Sequence, residues 1–178
     1  MRTLTAPVAL LVVFAAAAGA QQQTGPIIQK GGGHFPVPNA TFTVPTGVTY
    51  KMAWDIAVGS AKPGEANAAY DVPARFVNQA AVMGMPRNAT ELAVVIHGSA
   101  GEEMLNNDEY RARKGVDNPN ITLLEEMSKA GVKIIICGQT VGSRKMPRDK
   151  MLPFVLVAPS AAWAHAVLQQ QGFSMNPF

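Results

Sequence analysis

The sequence predicts an α/β protein in which a mainly parallel sheet is covered by helices on both faces. A run of consecutive apolar residues at 92–96, and a second run at 132–137 that is interrupted only by Lys133, suit strands that are buried on both sides. Segments with the helical spacing of apolar residues alternate with these runs along the chain, as they do in βαβ units. Because crossovers between parallel strands are right-handed, this order predicts a layered α/β fold.

The first predicted strand lies within residues 48–58 and carries four large side chains in strict alternation: Tyr50, Met52, Trp54 and Ile56. A period of two places these side chains on one face of the strand. The next predicted element is a helix that opens at Pro73 and ends at Gly84, since proline favours the first turn of a helix.

The middle of the chain contains a strand, a long connection and a helix. The second strand, 92–96, is followed by Gly98 and by the charged connection 99–117, in which a helix is predicted from 102 to 113. The next helix is predicted to begin at Asn118-Pro119, an N-cap followed by proline, and to end at Gly131.

The C-terminal part continues the same alternation. The third strand ends at Cys137, and a short basic helix is predicted to follow it to about residue 145. A fourth strand is predicted at 152–157, and a last helix from Ser160 to Gly172. In parallel sheets, ligands bind beyond the carboxyl ends of the strands, so we expect any functional site at this edge.

The first twenty residues have the features of a secretory signal peptide. Arg2 precedes an apolar run from Val8 to Ala18, and the small residues Gly19 and Ala20 follow. We therefore predict cleavage after Ala20 and a periplasmic or secreted protein. The run is shorter than the about 20 apolar residues that a membrane span requires, and no later run is longer, so no membrane span is expected.

Composition suggests one domain preceded by an arm. Residues 21–47 are rich in Gln, Gly, Pro, Thr and Asn, which predicts an extended or flexible arm before a domain at 48–178. The chain has 15 Lys and Arg against 12 Asp and Glu, a net charge of +3. These charges are largely scattered, so nucleic acid is not expected as a partner.

Cys137 is the only cysteine, so it has no partner for an internal disulfide in an oxidising compartment. Backbone amides at the start of the following helix would favour its thiolate, and Gly138 permits close approach of the backbone. Arg144 and Lys145 would add positive potential. The alternative is that Cys137 is a small apolar residue packed at the end of a buried strand.

His97 follows the second strand as Cys137 ends the third, so it is a candidate base or hydrogen-bond partner for the thiol. The alternative is a histidine that bonds to a loop carbonyl. One cysteine and three histidines form no metal-ligand motif, and no metal site is expected. The GSAG sequence that begins at Gly98 lacks a complete phosphate-binding fingerprint, so no cofactor is predicted.

From Val94 to Phe173 the chain resembles the DsrE/DsrF-like family. The resemblance rests on VVIHG, on DNPNITLLEEMSKAGVKIIICGQT and on LPFVLVAPSAAWAHAVLQQQGF. It implies a three-layer α/β/α sandwich around a sheet of about five strands, and a homo-oligomer such as a trimer or hexamer. Some members of this family bind or relay sulfur as a persulfide.

The resemblance implies that Cys137 is the thiol that carries sulfur. Gly138 and Gln139 complete the matching motif, and His97 and Gly98 are expected beside it as binding residues. A reduced-sulfur donor is then the expected partner, although the export signal separates this chain from the cytoplasmic partners of the better-known sulfur relays. The competing hypothesis is a ligand-binding or assembly module whose cysteine is structural.

Overall fold

The structure, a computed structural model, describes residues 21–176. The strands are β1 (Tyr50–Ile56), β2 (Thr90–Ile96), β3 (Lys133–Cys137), β4 (Leu156–Ala158) and β5 (Ser174–Asn176). The helices are α1 (Asp71–Val82), α2 (Asn107–Lys114), α3 (Ile121–Lys129), α4 (Gly138–Ser143) and α5 (Ala161–Gln170). The predicted signal peptide, residues 1–20, lies outside the described residues.

All five strands are parallel, in the order β4-β3-β2-β1-β5, with helices on both sides of the sheet. This arrangement is a three-layer α/β/α sandwich and confirms the predicted fold class. Within residues 21–176, no helix has the length and apolarity needed to cross a membrane.

The alternation of side chains along the strands divides the core into two parts. On β1 to β3, even-numbered residues such as Trp54, Val94 and Ile134 pack with buried side chains of α1 and α3. Odd-numbered residues of the same strands, such as Val95, face the other way and pack with Leu168 of α5. The odd-numbered face of the central strands is therefore the face that α5 covers.

The connection at 98–117 differs from the single helix predicted from 102 to 113. It forms a 3-10 helix at Gly98–Met104 and then α2, because Asn106 caps a new helix by accepting the Glu109 N–H at 3.0 Å. Buried Glu103 fixes the 3-10 helix, since its carboxylate accepts the Tyr70 hydroxyl at 2.7 Å and the Ser60 N–H at 2.7 Å.

The fourth strand was predicted at 152–157, but β4 covers only Leu156–Ala158. The preceding residues bond elsewhere, because the Leu152 N–H donates to the Met104 carbonyl at 2.9 Å and Met151 bridges to Leu105. The fifth strand of the sheet, β5, lies in the short C-terminal stretch that the sequence pattern left unclassified, where it pairs with β1.

Part of the N-terminal segment is docked on the domain. Asn78 of α1 is fully buried, and its Oδ1 accepts the N–H groups of Ile27 and Ile28 at 3.2 and 2.8 Å. Glu126 of α3 accepts two further backbone N–H groups, those of Gln29 and Lys30. Residues 27–30 therefore lie against α1 and α3, although the boundary between arm and domain stays a prediction.

Candidate functional site

Three polar residues lie near the carboxyl edge of the sheet because the central strands are in register. Ile96 pairs with Ile136, so the next residues, His97 and Cys137, are neighbours with Cα atoms about 5 Å apart, the usual spacing of strands. Asp55 lies on β1 opposite Val95. All three residues have odd numbers, so their side chains lie on the face that α5 covers.

The Cys137 thiol lies where two helices begin. β3 passes directly into α4, so the backbone N–H groups of Gln139 and Thr140 and the Thr140 hydroxyl hydrogen-bond to Sγ. The N–H group of Ala161, the first residue of α5, bonds to the same sulfur. Donors from two separate helices therefore surround a side chain that is only 6% exposed.

These hydrogen bonds control the acidity of the thiol. Burial raises the pKa of Cys137, but the hydrogen bonds from Thr140, Ala161 and Gln139 outweigh this effect, so the pKa is lowered from its ordinary value. N–H and O–H donors stabilise the charged form of an acid, and the positive ends of helices act in the same direction. The arrangement therefore favours the thiolate, which is the nucleophilic form of cysteine.

Gly98 connects the end of β2 to the thiol site. Its N–H donates to Thr140 Oγ1 at 3.2 Å, so Thr140 links Gly98 to the sulfur. Gly98 has a φ of +56°, and a Cβ atom there would lie 2.5 Å from the carbonyl oxygen of Ala57. Glycine is therefore required by backbone conformation and by close packing, whether or not a ligand binds.

The two residues after Cys137 hold the start of α5 in place. A Cβ atom on Gly138 would lie 2.6 Å from the Ala158 carbonyl oxygen, so the absence of a side chain lets the two segments approach. Gln139 Nε2 donates to the Pro159 carbonyl at 3.1 Å. The structure places the predicted site residues Gly138 and Gln139 around the thiol, and their role in ligand binding stays a prediction.

The histidine cluster beside the thiol is built on Asp55. His97 Nε2 lies 3.0 and 3.1 Å from the two Asp55 carboxylate oxygens, and His165 Nε2 lies 2.6 Å from Oδ1. Burial raises the pKa of Asp55, but the hydrogen bonds and charges of the two histidines outweigh it and leave the pKa lowered. His97 is thus directed at Asp55, and no bond from its imidazole to the sulfur is seen.

Sequence reasoning did not identify Asp55 and His165 as site residues. Each of them left one signal in the sequence. Asp55 is an acidic residue in an otherwise apolar stretch of strand. His165 lies one helical turn after Ala161, on the side of the helix that is predicted to face inward. Only the packing of α5 on the odd-numbered face of the sheet brings it to the same carboxylate as His97.

The predicted contribution of basic side chains to the thiol is not seen. Arg144 pairs with Glu102 at 3.6 Å, and the same carboxylate also binds Lys114 at 2.6 Å. Burial raises the pKa of Glu102, but these cations lower it more. Among residues 21–176, no group of three His, Cys, Asp or Glu side chains has the arrangement of a metal site.

The family is identified by comparison with known proteins. A model described as the DsrE/DsrF-like family matches residues 56–176 of this chain. The chain belongs to the DsrE/DsrF-like family. This family is associated with sulfur relay, and the matched residues include Cys137. The match confirms the resemblance noted in the sequence.

Two further comparisons add little to this assignment. A search of curated proteins gives no match. Among solved structures, this DsrE/DsrF-like chain is similar to MTH1491 from Methanobacterium thermoautotrophicum, a protein of unknown function. The identity is 19%, the TM-score is 0.49, and the similarity covers 72% of this chain and 99% of that one.

The Thr140 hydroxyl provides a direct test of the thiol environment. Thr140→Val removes one donor to Sγ and keeps the backbone N–H, so we expect the thiol pKa to rise by about 0.5 to 1 unit. The rate of alkylation by iodoacetamide, measured against pH, gives this value. Ser143→Ala is the matched control, because the Ser143 hydroxyl donates to the Thr140 carbonyl and not to the sulfur. An unchanged pKa in Thr140→Val would contradict the assignment.

Proposed function

We propose that this DsrE/DsrF-like protein is exported and carries sulfur as a persulfide on Cys137. One observation carries the proposal, namely the convergence of hydrogen-bond donors from α4 and α5 on the Sγ atom. These donors lower the pKa of the thiol and favour the nucleophilic thiolate, which a purely packing role does not require. Membership of a family associated with sulfur relay agrees with this proposal.

The chemistry requires a donor that already holds sulfane sulfur, such as a polysulfide. The Cys137 thiolate attacks the terminal sulfur of the donor, and a new S–S bond forms at Sγ. The S–S bond within the donor breaks, and its electron pair leaves with the shortened polysulfide. The cysteine sulfur is oxidised as the sulfur of the shortened polysulfide that takes the electron pair is reduced, so no further oxidant is needed. This exchange follows the usual course of thiolate attack on an S–S bond.

The geometry favours a small anionic donor. Because Cys137 is only 6% exposed, a narrow chain of sulfur atoms fits the approach better than a bulky organic group. The N–H groups that stabilise the thiolate would also stabilise the negative charge of the resulting persulfide, since both are anionic sulfur species held at the starts of two helices. Asp55 and the two histidines bound to it lie on the same face of the sheet as Cys137.

Intact-mass spectrometry tests export and sulfur uptake together. Protein recovered from the periplasmic fraction should have the mass of a chain that begins at Gln21. After treatment with inorganic polysulfide, the intact protein should gain the mass of sulfur, digestion should place it on the peptide that contains Cys137, and dithiothreitol should remove it. Cys137→Ser is the matched control and should gain nothing.

Two results would contradict this proposal. A Cys137 peptide that stays unmodified would favour the alternative, in which Cys137 is a packed residue of a binding or assembly module. In that case Cys137→Ala would cost about 1 kcal/mol of stability and no function. A chain that retains residues 1–20 in the cytoplasm would contradict the export.

The proposal includes association of identical chains. α5 is the helix that packs against the odd-numbered face of the described sheet, and large apolar side chains remain exposed on and beside it: Trp163 at 65%, Leu156 at 54% and Val167 at 47%. Such a patch is typical of a surface that another chain covers.

Sedimentation velocity tests this association. We expect the wild-type protein to sediment as an oligomer at micromolar concentration, and Trp163→Ser to shift the distribution towards monomer. Val82→Ser, an exposed residue at the end of α1, is the control for loss of an apolar side chain elsewhere. A wild-type protein that remains monomeric would contradict the association.

A further inference from the structure

Asp55 and His165 form a polar pair beside the apolar contact between α5 and the sheet; Asp55 is exposed and His165 is half-buried. The side chains of α5 that face the sheet are Ala161, Ala164 and Leu168, and His165 lies within this stripe. Asp55 lies on the face of β1 that also carries buried Ala53. The two polar residues match each other, because His165 Nε2 lies 2.6 Å from Asp55 Oδ1.

One route of contacts leads from Asp55 to the sulfur through α5. Asp55 holds His165, and Ala161 lies one helical turn before His165 on the same side of the helix. Ala161 then donates its N–H to Cys137 Sγ. A shift of α5 along the sheet would therefore break the bond to Asp55 and the bond to the sulfur together.

A second route leads from Asp55 to the sulfur through β2. Asp55 holds His97, and the next residue, Gly98, donates its N–H to Thr140 Oγ1 at 3.2 Å. Thr140 in turn hydrogen-bonds to Cys137 Sγ. Both routes begin at the same carboxylate and end at different donors to the same atom.

Besides the close packing of Gly138 on Ala158 and the bond from Gln139 to the Pro159 carbonyl, few contacts fix the start of α5. Only Ala164 and Leu168 of this helix are buried. His165 Nδ1 is buried and makes no hydrogen bond within residues 21–176, so the bond of Nε2 to Asp55 orients this imidazole. The polar contact with Asp55 therefore adds to the two apolar side chains that place the helix.

We infer that Asp55 is a positioning residue for Cys137. By binding both His165 and His97, Asp55 holds the start of α5 and Thr140 against the sulfur. The inference rests on the proposed function, in which this held thiolate is the nucleophile that takes up sulfur. Asp55 itself contacts neither the sulfur nor the donor in this role.

A pair of substitutions at His165 tests the inference in the full mature protein. Nε2 of glutamine can replace Nε2 of histidine as an uncharged donor to Asp55, whereas leucine keeps the bulk and removes the donor. We expect His165→Leu to raise the thiol pKa by about one unit, a roughly tenfold smaller thiolate fraction at pH below the pKa. His165→Gln should keep the wild-type value. Alkylation rates of Cys137 by iodoacetamide against pH provide the readout.

Two further variants complete the experiment. Gln169→Leu, on the exposed side of α5, is the matched control and should leave the thiol pKa unchanged. Asp55→Ala should raise the thiol pKa more than His165→Leu, because both routes are lost. Removal of a carboxylate charge alone would favour the thiolate and lower the pKa, so the sign of the change separates positioning from direct electrostatics.

Three outcomes would overturn the inference: an unchanged thiol pKa in His165→Leu, an equal change in His165→Leu and His165→Gln, or a lowered pKa in Asp55→Ala. The measurement contains no sulfur donor, so it is independent of persulfide formation. If the pKa values shift as expected but polysulfide leaves Cys137 unmodified, the proposed function fails and the positioning role stands. If Cys137 gains sulfur but the thiol pKa is unchanged in the variants, the proposed function stands and the positioning role fails.

Discussion

The in-register pairing of β1, β2 and β3 is the constraint on which the site depends. Parallel strands in register bring their carboxyl ends to one edge, and the period of two decides which side chains share a face. Asp55, His97 and Cys137 share both the edge and the face. A slip of one residue in any of these pairings would move one of the three to the opposite side, against α1 and α3.

The odd-numbered face is covered differently from the even-numbered one. α1 and α3 bury a large apolar cluster on one side, whereas α5 covers the other side with a smaller one that includes Ala53, Ala93 and Val95. The small side chains allow α5 to lie close to the sheet, so its first N–H can reach a sulfur on β3. Because this apolar cluster is the smaller one, the placement of α5 also depends on polar contacts.

Burial and hydrogen bonding act in opposite directions at Cys137. An apolar environment alone would hold the thiol neutral, and such a cysteine would be inert. Donors at the starts of two helices reverse this effect without any cation at the sulfur. Arg144, one of the basic residues predicted to contribute, is paired with Glu102 instead. Backbone amides therefore set the acidity, and they do so only while α4 and α5 keep their positions.

The local parts of this structure could be predicted from sequence, and the parts that depend on distant contacts could not. Runs of apolar residues indicated β2 and β3, and the position of Cys137 at a strand end followed directly. β4 was misplaced because residues 151 and 152 bond to the segment around Met104. The contact of His165 with Asp55 joins residues 110 positions apart, and no local sequence pattern predicts such a pair.

The N-terminal segment shows the same limit. Its composition indicated an extended or flexible arm, and nothing in that composition indicates that a buried asparagine of α1 binds Ile27 and Ile28. The structure places the candidate site residues Cys137, His97, Gly98, Gly138 and Gln139 at one edge of the sheet, and their functional roles stay predictions. Asp55, which connects two of the elements around the sulfur, was missed because a single carboxylate on a strand carries no motif.

The pKa of the Cys137 thiol in the wild-type protein tests the central claim most directly. Alkylation of the reduced protein by iodoacetamide, followed from acidic to alkaline pH, gives the fraction of thiolate at each pH. The account predicts a pKa clearly below the ordinary value of about 8.5, because the donors of α4 and α5 outweigh burial. A pKa at or above about 8.5 would contradict it and would make Cys137 a packed structural residue.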